Sequence, residues 1–266
     1  MSLSSDLSSH AHLPEADTEA EESIDFVRRM MPLCTERPTR LLDVGCGNGA
    51  VAAGLTRCGF SVVAIDDSME SVRRAKAHGL EAYQTNWVSE SLPDAARREP
   101  YDGVLFIRSL HHLTPIEDSL TRAAHLLRDG GRVLIDDSAS DARTEAAAEW
   151  VYGVLSLLRD FGIIAADGNE FAYTILRNGG TLAAWNASHA HDGEIAAFGE
   201  IAEAVRRVFS VIHEEQAPYL YRYISRVLPT NAQSATLTHR IADLERRAAS
   251  AGMFELIGRR MVGVRR

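Results

Sequence analysis

Along the first half of the chain, short apolar runs alternate with stretches whose apolar positions recur at helical spacing. The runs are Arg40-Leu-Leu-Asp-Val44, Phe60-Ser-Val-Val-Ala-Ile-Asp66, Leu80-Glu-Ala-Tyr-Gln-Thr-Asn86, Tyr101-Asp-Gly-Val-Leu-Phe-Ile107 and, after a turn at Asp129-Gly-Gly131, Arg132-Val-Leu-Ile-Asp136. Continuous apolar runs suit strands buried on both faces. Before the first run, Ile24, Val27 and Met31 share a helical face with Phe26 and Met30 beside them, which predicts a helix over 16–31 ended by Pro32. Val51, Leu55 and Phe60 mark a second helix, and Ser68 caps a third that carries Ser71, Val72, Ala75 and His78. Pro115 opens a fourth, running to about Asp129. Strand and helix in alternation predict a doubly wound parallel sheet.

The second half is less regular. Thr144–Phe161 reads as an Ala-rich helix with Trp150, Val151, Val154, Leu155 and Leu158 on one face. Gly168–Gly193 reads as irregular, and a helix follows near Glu194–Val208. Phe209-Ser-Val-Ile-His213 suits a sixth strand. Tyr219, Tyr221 and Tyr223 alternate as on a strand with one aromatic face or a substrate wall, a charged helix covers about 236–251, and Phe254–Val264 reads as a last strand.

The chain has 266 residues, 45% of them hydrophobic, room for one large α/β domain or a domain with a cap. Acidic residues outnumber basic ones, 37 to 28, for a formal charge of −9, which disfavours non-specific nucleic-acid binding. The cysteines are Cys34, Cys46 and Cys58; their odd number and lack of a Cys-x-x-Cys pair point to a reducing, cytoplasmic setting. Residues 1–14 read as a mobile tail without the apolar stretch of a signal peptide, and no run is long enough for a membrane span.

Chemistry concentrates after the first strand. Gly45, Gly47 and Gly49 alternate between that strand and the next helix. Strand, glycine turn and helix make a nucleotide cradle, because glycine lets backbone approach a ligand and the helix N-terminus offers unpaired N–H groups. Counted from Gly45, the third glycine of a dinucleotide fingerprint falls on Ala50, an allowed variant. Asp43, on the strand just before the turn, would repel a pyrophosphate and suits a cationic ligand such as a sulfonium bearing an ammonium group. Asp66, 21 residues after Gly45 at the end of the second strand, is placed to accept hydrogen bonds from ribose hydroxyls.

Leu42-Asp-Val-Gly-Cys-Gly-Asn-Gly49 resembles the first motif of class I S-adenosylmethionine-dependent methyltransferases, and Ser109-Leu-His-His-Leu113 resembles the small-molecule branch of that family. The resemblance covers about residues 36–137. It implies an α/β fold: a doubly wound, mainly parallel, Rossmann-like seven-stranded sheet with helices on both faces. Residues 15–266 read as one methyltransferase domain, with 140–208 as a partly helical insert or cap on the substrate side, over the pocket mouth. The resemblance implies S-adenosylmethionine as cofactor, S-adenosylhomocysteine as product, and a cofactor site drawn from Asp43, Gly45, Cys46, Gly47, Asn48, Gly49, Asp66, Asp67, Met69, Asn86, Trp87, Ile107 and Arg108. Met69 would lie against the adenine. Asp67 stands where the family often has an apolar residue, Asn86 where it usually has aspartate, and Asp129 where it has proline.

Methyl transfer from a sulfonium is an in-line displacement in which the protein mainly aligns the reactants and removes water. An oxygen or nitrogen acceptor can also need a general base. Candidates are His112 and His111, then Tyr219 and Tyr221, then His189 and His191; Tyr152, Tyr173 and Trp185 join the two tyrosines as substrate-side candidates. Adjacent histidines without cysteine or clustered carboxylates do not make a metal site. The expected partner is a small-molecule methyl acceptor at oxygen, nitrogen or carbon, with no nucleic acid and no membrane, and a homo-oligomer as an option. Two other readings stand beside this one: a nicotinamide-dependent oxidoreductase on the same type of sheet, and a cofactor-binding protein without catalysis. Asp43 and the lack of a Tyr-x-x-x-Lys pair weigh against the first. The base-amine signature (Asp or Asn)-Pro-Pro-Tyr is absent, Arg108-Ser-Leu-His111 standing in its place, which disfavours methylation of nucleic-acid bases.

Overall fold

A computed structural model describes residues 18–164, 170–188, 195–229 and 231–266. The tail expected over 1–14, and His189 and His191, lie outside the described residues.

Seven strands form one sheet: β1 Arg40–Val44, β2 Ser61–Asp66, β3 Glu81–Gln84, β4 Tyr101–Ile107, β5 Leu127–Ser138, β6 Phe209–Ala217 and β7 Gly258–Arg265. Their order is β3-β2-β1-β4-β5-β7-β6. β1 to β5 run parallel, while β7 lies antiparallel between β5 and β6. The order reverses between β1 and β4, so their carboxyl ends open the crevice in which such sheets hold ligands.

The helices are α1 Thr18–Met30, α2 Ala50–Arg57, α3 Met69–Ala77, α4 Ile116–Leu126, α5 Glu145–Asp160, α6 Glu170–Asn178, α7 Leu182–Ser188, α8 Phe198–Val208, α9 Leu220–Ser225 and α10 Ala232–Ser250. Ser68 and Thr144 cap α3 and α5, accepting from the N–H groups of Ser71 and Ala147 at 3.3 and 3.2 Å. One apolar cluster gathers α4 and α8 with Val104, Phe106, Val133 and Ile135 of the sheet. A second gathers α1, α2 and α3 with Leu41, Ala64, Leu105 and Leu134. Alternate residues of β4 and β5 thus enter different clusters, as a strand's period of two requires. A third cluster joins α5, α6, α7, α9 and α10 around Trp185, Tyr221 and Ile241. The span 140–208 therefore divides: α5 to α7 share this third cluster, whereas α8 packs with α4 against the sheet.

Three segments differ from the sequence reading. Within 168–193, described as irregular above, lie α6 and α7, whose buried Ala172, Ile175, Ala184 and Trp185 pack on α5. The tyrosine run starts a short helix rather than a strand, because the buried Glu245 carboxylate accepts the N–H groups of Tyr219, Leu220 and Tyr221 at 2.7–3.0 Å. The last strand begins at Gly258, not Phe254, and β6 runs on to Ala217 because β7 pairs along its whole length. That pairing sets Glu215 opposite Arg260 across a polar stretch with no apolar signal.

A buried ionic knot fastens α1 and α9 to the sheet. Asp136 on β5 accepts from Ser23 at 2.7 Å and from Arg222 at 3.1 Å, with Arg260 3.4 Å away. Burial opposes the Asp136 charge, yet Arg222 and Arg260, then Ser23, hold its pKa down at about 2.

A cofactor-type cradle and a histidine–aspartate pair at the carboxyl edge

The turn after β1 is built from residues that a side chain would spoil. Gly45 has φ 73°, and a Cβ there would lie 2.6 Å from the Cβ of Ser109. Gly47 has φ 55°, and a Cβ there would meet no protein atom within 4 Å: it would stand in the cleft itself. The N–H groups of Gly45 and Cys46 both donate to the Ile65 carbonyl, at 2.9 and 3.0 Å. Asp66 braces the turn further, accepting from Gly47 N–H and Ser68 N–H at 2.9 Å each.

Two clefts meet at this turn and share Gly45 and Arg108. The first, about 420 Å³, is lined by Asp43, Cys46, Gly47, Asn48 and Ile107, with Glu19, Arg108 and Arg226 at its charged rim. The second, about 550 Å³, is lined by Asp66, Asp67, Asn86, Trp87, Val88, Ser109 and His112. Asp43 is buried to 1% exposure and its Oδ1 lacks a hydrogen-bond partner among the described residues. Burial, then the nearby charge of Asp66, push its pKa up to about 7 against the pull of Arg108. An orphaned buried carboxylate beside an open glycine fits a ligand that carries positive charge. Arg108 follows β4 with φ 59°, donates its N–H to the Asp136 carbonyl at 2.8 Å, and pairs with Glu19 of α1 at 2.7 Å. Burial raises the pKa of the Cys46 thiol well above the ordinary range, so it lines the cleft as a neutral group.

The second cleft is shaped by the loop after β3. Asn86 uses its Oδ1 to accept the N–H groups of Val88 and Ser89 at 3.0 Å, which shapes the loop over the cleft. Trp87 is buried, meets Phe106 edge-on at 5.9 Å, and keeps its indole Nε1 without an acceptor among the described residues. Met69, expected against the adenine, is 60% exposed at the start of α3 and lines neither cleft.

The adjacent histidines part company. His112 lines the second cleft. His111 lines neither cleft, and its Nδ1 lies 2.6 Å from Oδ1 of Asp137 at the carboxyl end of β5. The His111 carbonyl accepts from Ala196 N–H at 3.0 Å, which ties the loop entering α8 to this turn. Asp137 is fully buried; its one signal in the sequence is that two consecutive carboxylates end an apolar strand.

The substrate-side candidates scatter. Tyr219 is buried, its hydroxyl within electrostatic reach of Asp137 and Arg108, and burial raises its pKa above the ordinary tyrosine range. Trp185 meets Tyr223 edge-on at 5.2 Å, Tyr223 meets Tyr219 at 5.8 Å, and the Arg143 guanidinium reaches the Tyr223 hydroxyl at 3.5 Å. Tyr221 instead accepts from Arg222 at 3.2 Å within the ionic knot, and Tyr173 is 43% exposed beside Arg177. Tyr152 packs at the edge of the third cluster. Among the described residues no group of three His, Cys, Asp or Glu is placed to hold a metal ion, and no helix is long and apolar enough to cross a membrane.

A family model described as a methyltransferase domain matches residues 16–160. A ubiquinone biosynthesis O-methyltransferase of Xylella fastidiosa is 33% identical over 115 residues, 42% of this chain and 46% of the relative. One of the same name from Klebsiella pneumoniae is 30% identical over 142 residues, 47% of this chain and 59% of the relative. The chain thus spans about half the length of these curated relatives. Among solved structures, that of a putative sarcosine dimethylglycine methyltransferase from Galdieria sulphuraria superposes with a TM-score of 0.53 at 13% identity, covering 92% of this chain and 85% of that one. A [4+2]-cyclase superposes with a TM-score of 0.50 at 18% identity, covering 92% and 81%. At these identities the two structures establish the likeness of fold.

Proposed function

The chain belongs to the methyltransferase-domain family, and from that membership we propose that it moves a methyl group from S-adenosylmethionine to a small molecule and releases S-adenosylhomocysteine. The observation that carries the reading is Asp43: a buried carboxylate with an unpartnered oxygen, beneath a glycine turn that opens into the cleft. When bound, S-adenosylmethionine supplies a sulfonium methyl already activated for in-line displacement. In the first cleft Asp43 and Glu19 would hold the ammonium of the amino-acid end, and Arg108 and Arg226 its carboxylate. In the second, Asp66 would accept from the ribose hydroxyls while Asn86 and Trp87 wall the adenine. The cluster around Trp185 and Tyr223 serves as a cap that excludes water over the acceptor. Oxygen is the favoured acceptor atom, in keeping with the names of the curated relatives. The free cysteines fit a cytoplasmic setting.

A nicotinamide cofactor is disfavoured by Asp43, whose charge would face the pyrophosphate. Isothermal calorimetry with S-adenosylhomocysteine, NAD and NADP tests the cofactor: binding of the first alone is expected, and binding of a nicotinamide cofactor instead overturns the reading. Transfer of label from methyl-labelled donor then separates an enzyme from a binding protein.

A further inference from the structure

The two histidines of Leu110-His-His-Leu113 face different chemistry. His112 lines the cleft assigned to the adenosine. His111, its ring 4.0 Å from that of His112, is tied at Nδ1 to a carboxylate that is itself fixed. Asp137 Oδ1 also accepts the N–H of Ser138 at 2.8 Å, and Oδ2 faces the N–H of His111 at 3.4 Å. With backbone donors aimed at both oxygens, Asp137 acts as an acceptor, so Nδ1 of His111 is the nitrogen that carries hydrogen. The neutral ring then keeps a lone pair at Nε2. The His111 side chain is 14% exposed, enough for a small molecule to touch it, whereas Asp137 is wholly enclosed. The pair lies at the carboxyl ends of β4 and β5, past Arg108, with the buried Tyr219 hydroxyl within electrostatic reach of Asp137.

Resting on the methyl-transfer reading, we propose that His111 is the general base for an acceptor hydroxyl and that Asp137 is its positioning residue. The acceptor hydroxyl gives its proton to Nε2 as its oxygen forms the new bond to the methyl carbon. The bond from carbon to sulfur breaks with its electron pair left on sulfur, and the protonated His111 later yields the proton to solvent. A hydroxyl that is not yet ionised is the acceptor for which a base matters most.

Two measurements test this. Long-range 1H–15N NMR of the histidine-labelled full chain, loaded with S-adenosylhomocysteine, is expected to show His111 protonated at Nδ1 and bare at Nε2, and Asp137→Asn is expected to scramble that tautomer. Hydrogen found at Nε2 in the unaltered protein overturns the proposal. In turnover with labelled methyl donor, catechol and 4-nitrocatechol serve as probe acceptors, the second being ionised near neutral pH. His111→Gln is expected to lower kcat on catechol about 100-fold, with the KM for the donor unchanged, and to lose less than about fivefold on 4-nitrocatechol, in line with the usual yield of general-base catalysis. An equal loss on both acceptors overturns the base assignment and leaves a structural link between β4 and β5. Failure of the unaltered protein to bind S-adenosylhomocysteine removes the underlying cofactor reading; tight binding together with a full catechol rate in His111→Gln removes the base alone.

Discussion

Asp43 couples the empty fold to pH, and the coupling has a calculable size. Its pKa rises from 3.8 to about 7 in the folded chain because the charge is buried and faces Asp66. A raised folded value means that the contribution to stability is full below about pH 4, falls as pH rises, and is gone by about pH 7. At 1.36 kcal/mol per pH unit the whole span is worth about 4 kcal/mol, of which about 3 falls between pH 5 and pH 8. Asp43→Asn removes the titration. Whatever the amide costs in packing is the same at both pH values, so the informative quantity is the change in the gap between variant and parent. Without ligand, the unfolding free energy of Asp43→Asn relative to the parent is expected to improve by about 3 kcal/mol from pH 5 to pH 8, read from urea melts at matched slopes. The same variant should bind S-adenosylhomocysteine about 10- to 100-fold more weakly, the worth of a lost charged hydrogen bond. A gap that stays constant from pH 5 to pH 8 would refute the burial argument outright.

Gly47→Val places a side chain in the cleft at a φ of 55°, so S-adenosylhomocysteine binding should drop by more than about 100-fold while the thermal midpoint falls only a few degrees, the strain being about 1–2 kcal/mol; calorimetry and a melt on one sample check both. Arg222→Leu leaves Asp136 buried with Arg260 as its remaining cation, and a loss of about 3 kcal/mol is expected in urea unfolding, a loss under about 1 kcal/mol showing that Arg260 suffices. Trp185→Ala removes the fully buried centre of the third cluster at a local cost of about 3–5 kcal/mol. Limited proteolysis should then cut within α5–α7 while amides of β1, β4 and β5 keep their exchange protection; uniform loss of protection would show that cap and sheet unfold together.

How legible all this was depends on range along the chain. β4 is Tyr101–Ile107 in sequence and structure alike, because a mostly apolar run with Asp102 as its single charged residue, bounded by polar turns, can be little else. Ser68 was readable as a cap because its partner is three residues away. The charged knot was not: Ser23, Asp136, Arg222 and Arg260 meet across 86 to 199 residues, and no local period marks such pairs. The tyrosine run shows the same limit. Residues at alternate positions look like a strand, but Glu245, far downstream, supplies the acceptor that starts a helix at Leu220. The glycine turn and Asp66 were legible as a cradle, since backbone geometry dictates glycine there; the partner of His111 was not, since nothing in a histidine pair says which carboxylate the fold will bring to it.

The placement of β7 has a consequence for how the chain comes to be folded in a cell. Gly258–Arg265 lies between β5 and β6 and hydrogen-bonds to both. A ribosome delivers those eight residues after every other strand has emerged. Until then β5 has an open edge and β6 has no neighbour in the sheet at all, so the sheet cannot close before Gly258–Arg265 has been made. Any nascent or shortened chain that stops before Gly258 exposes two unpaired strands, the kind of edge that recruits other chains. Holding that intermediate apart from its copies is then a task for chaperones, and the yield of folded protein should depend on expression rate more steeply than its equilibrium stability would suggest.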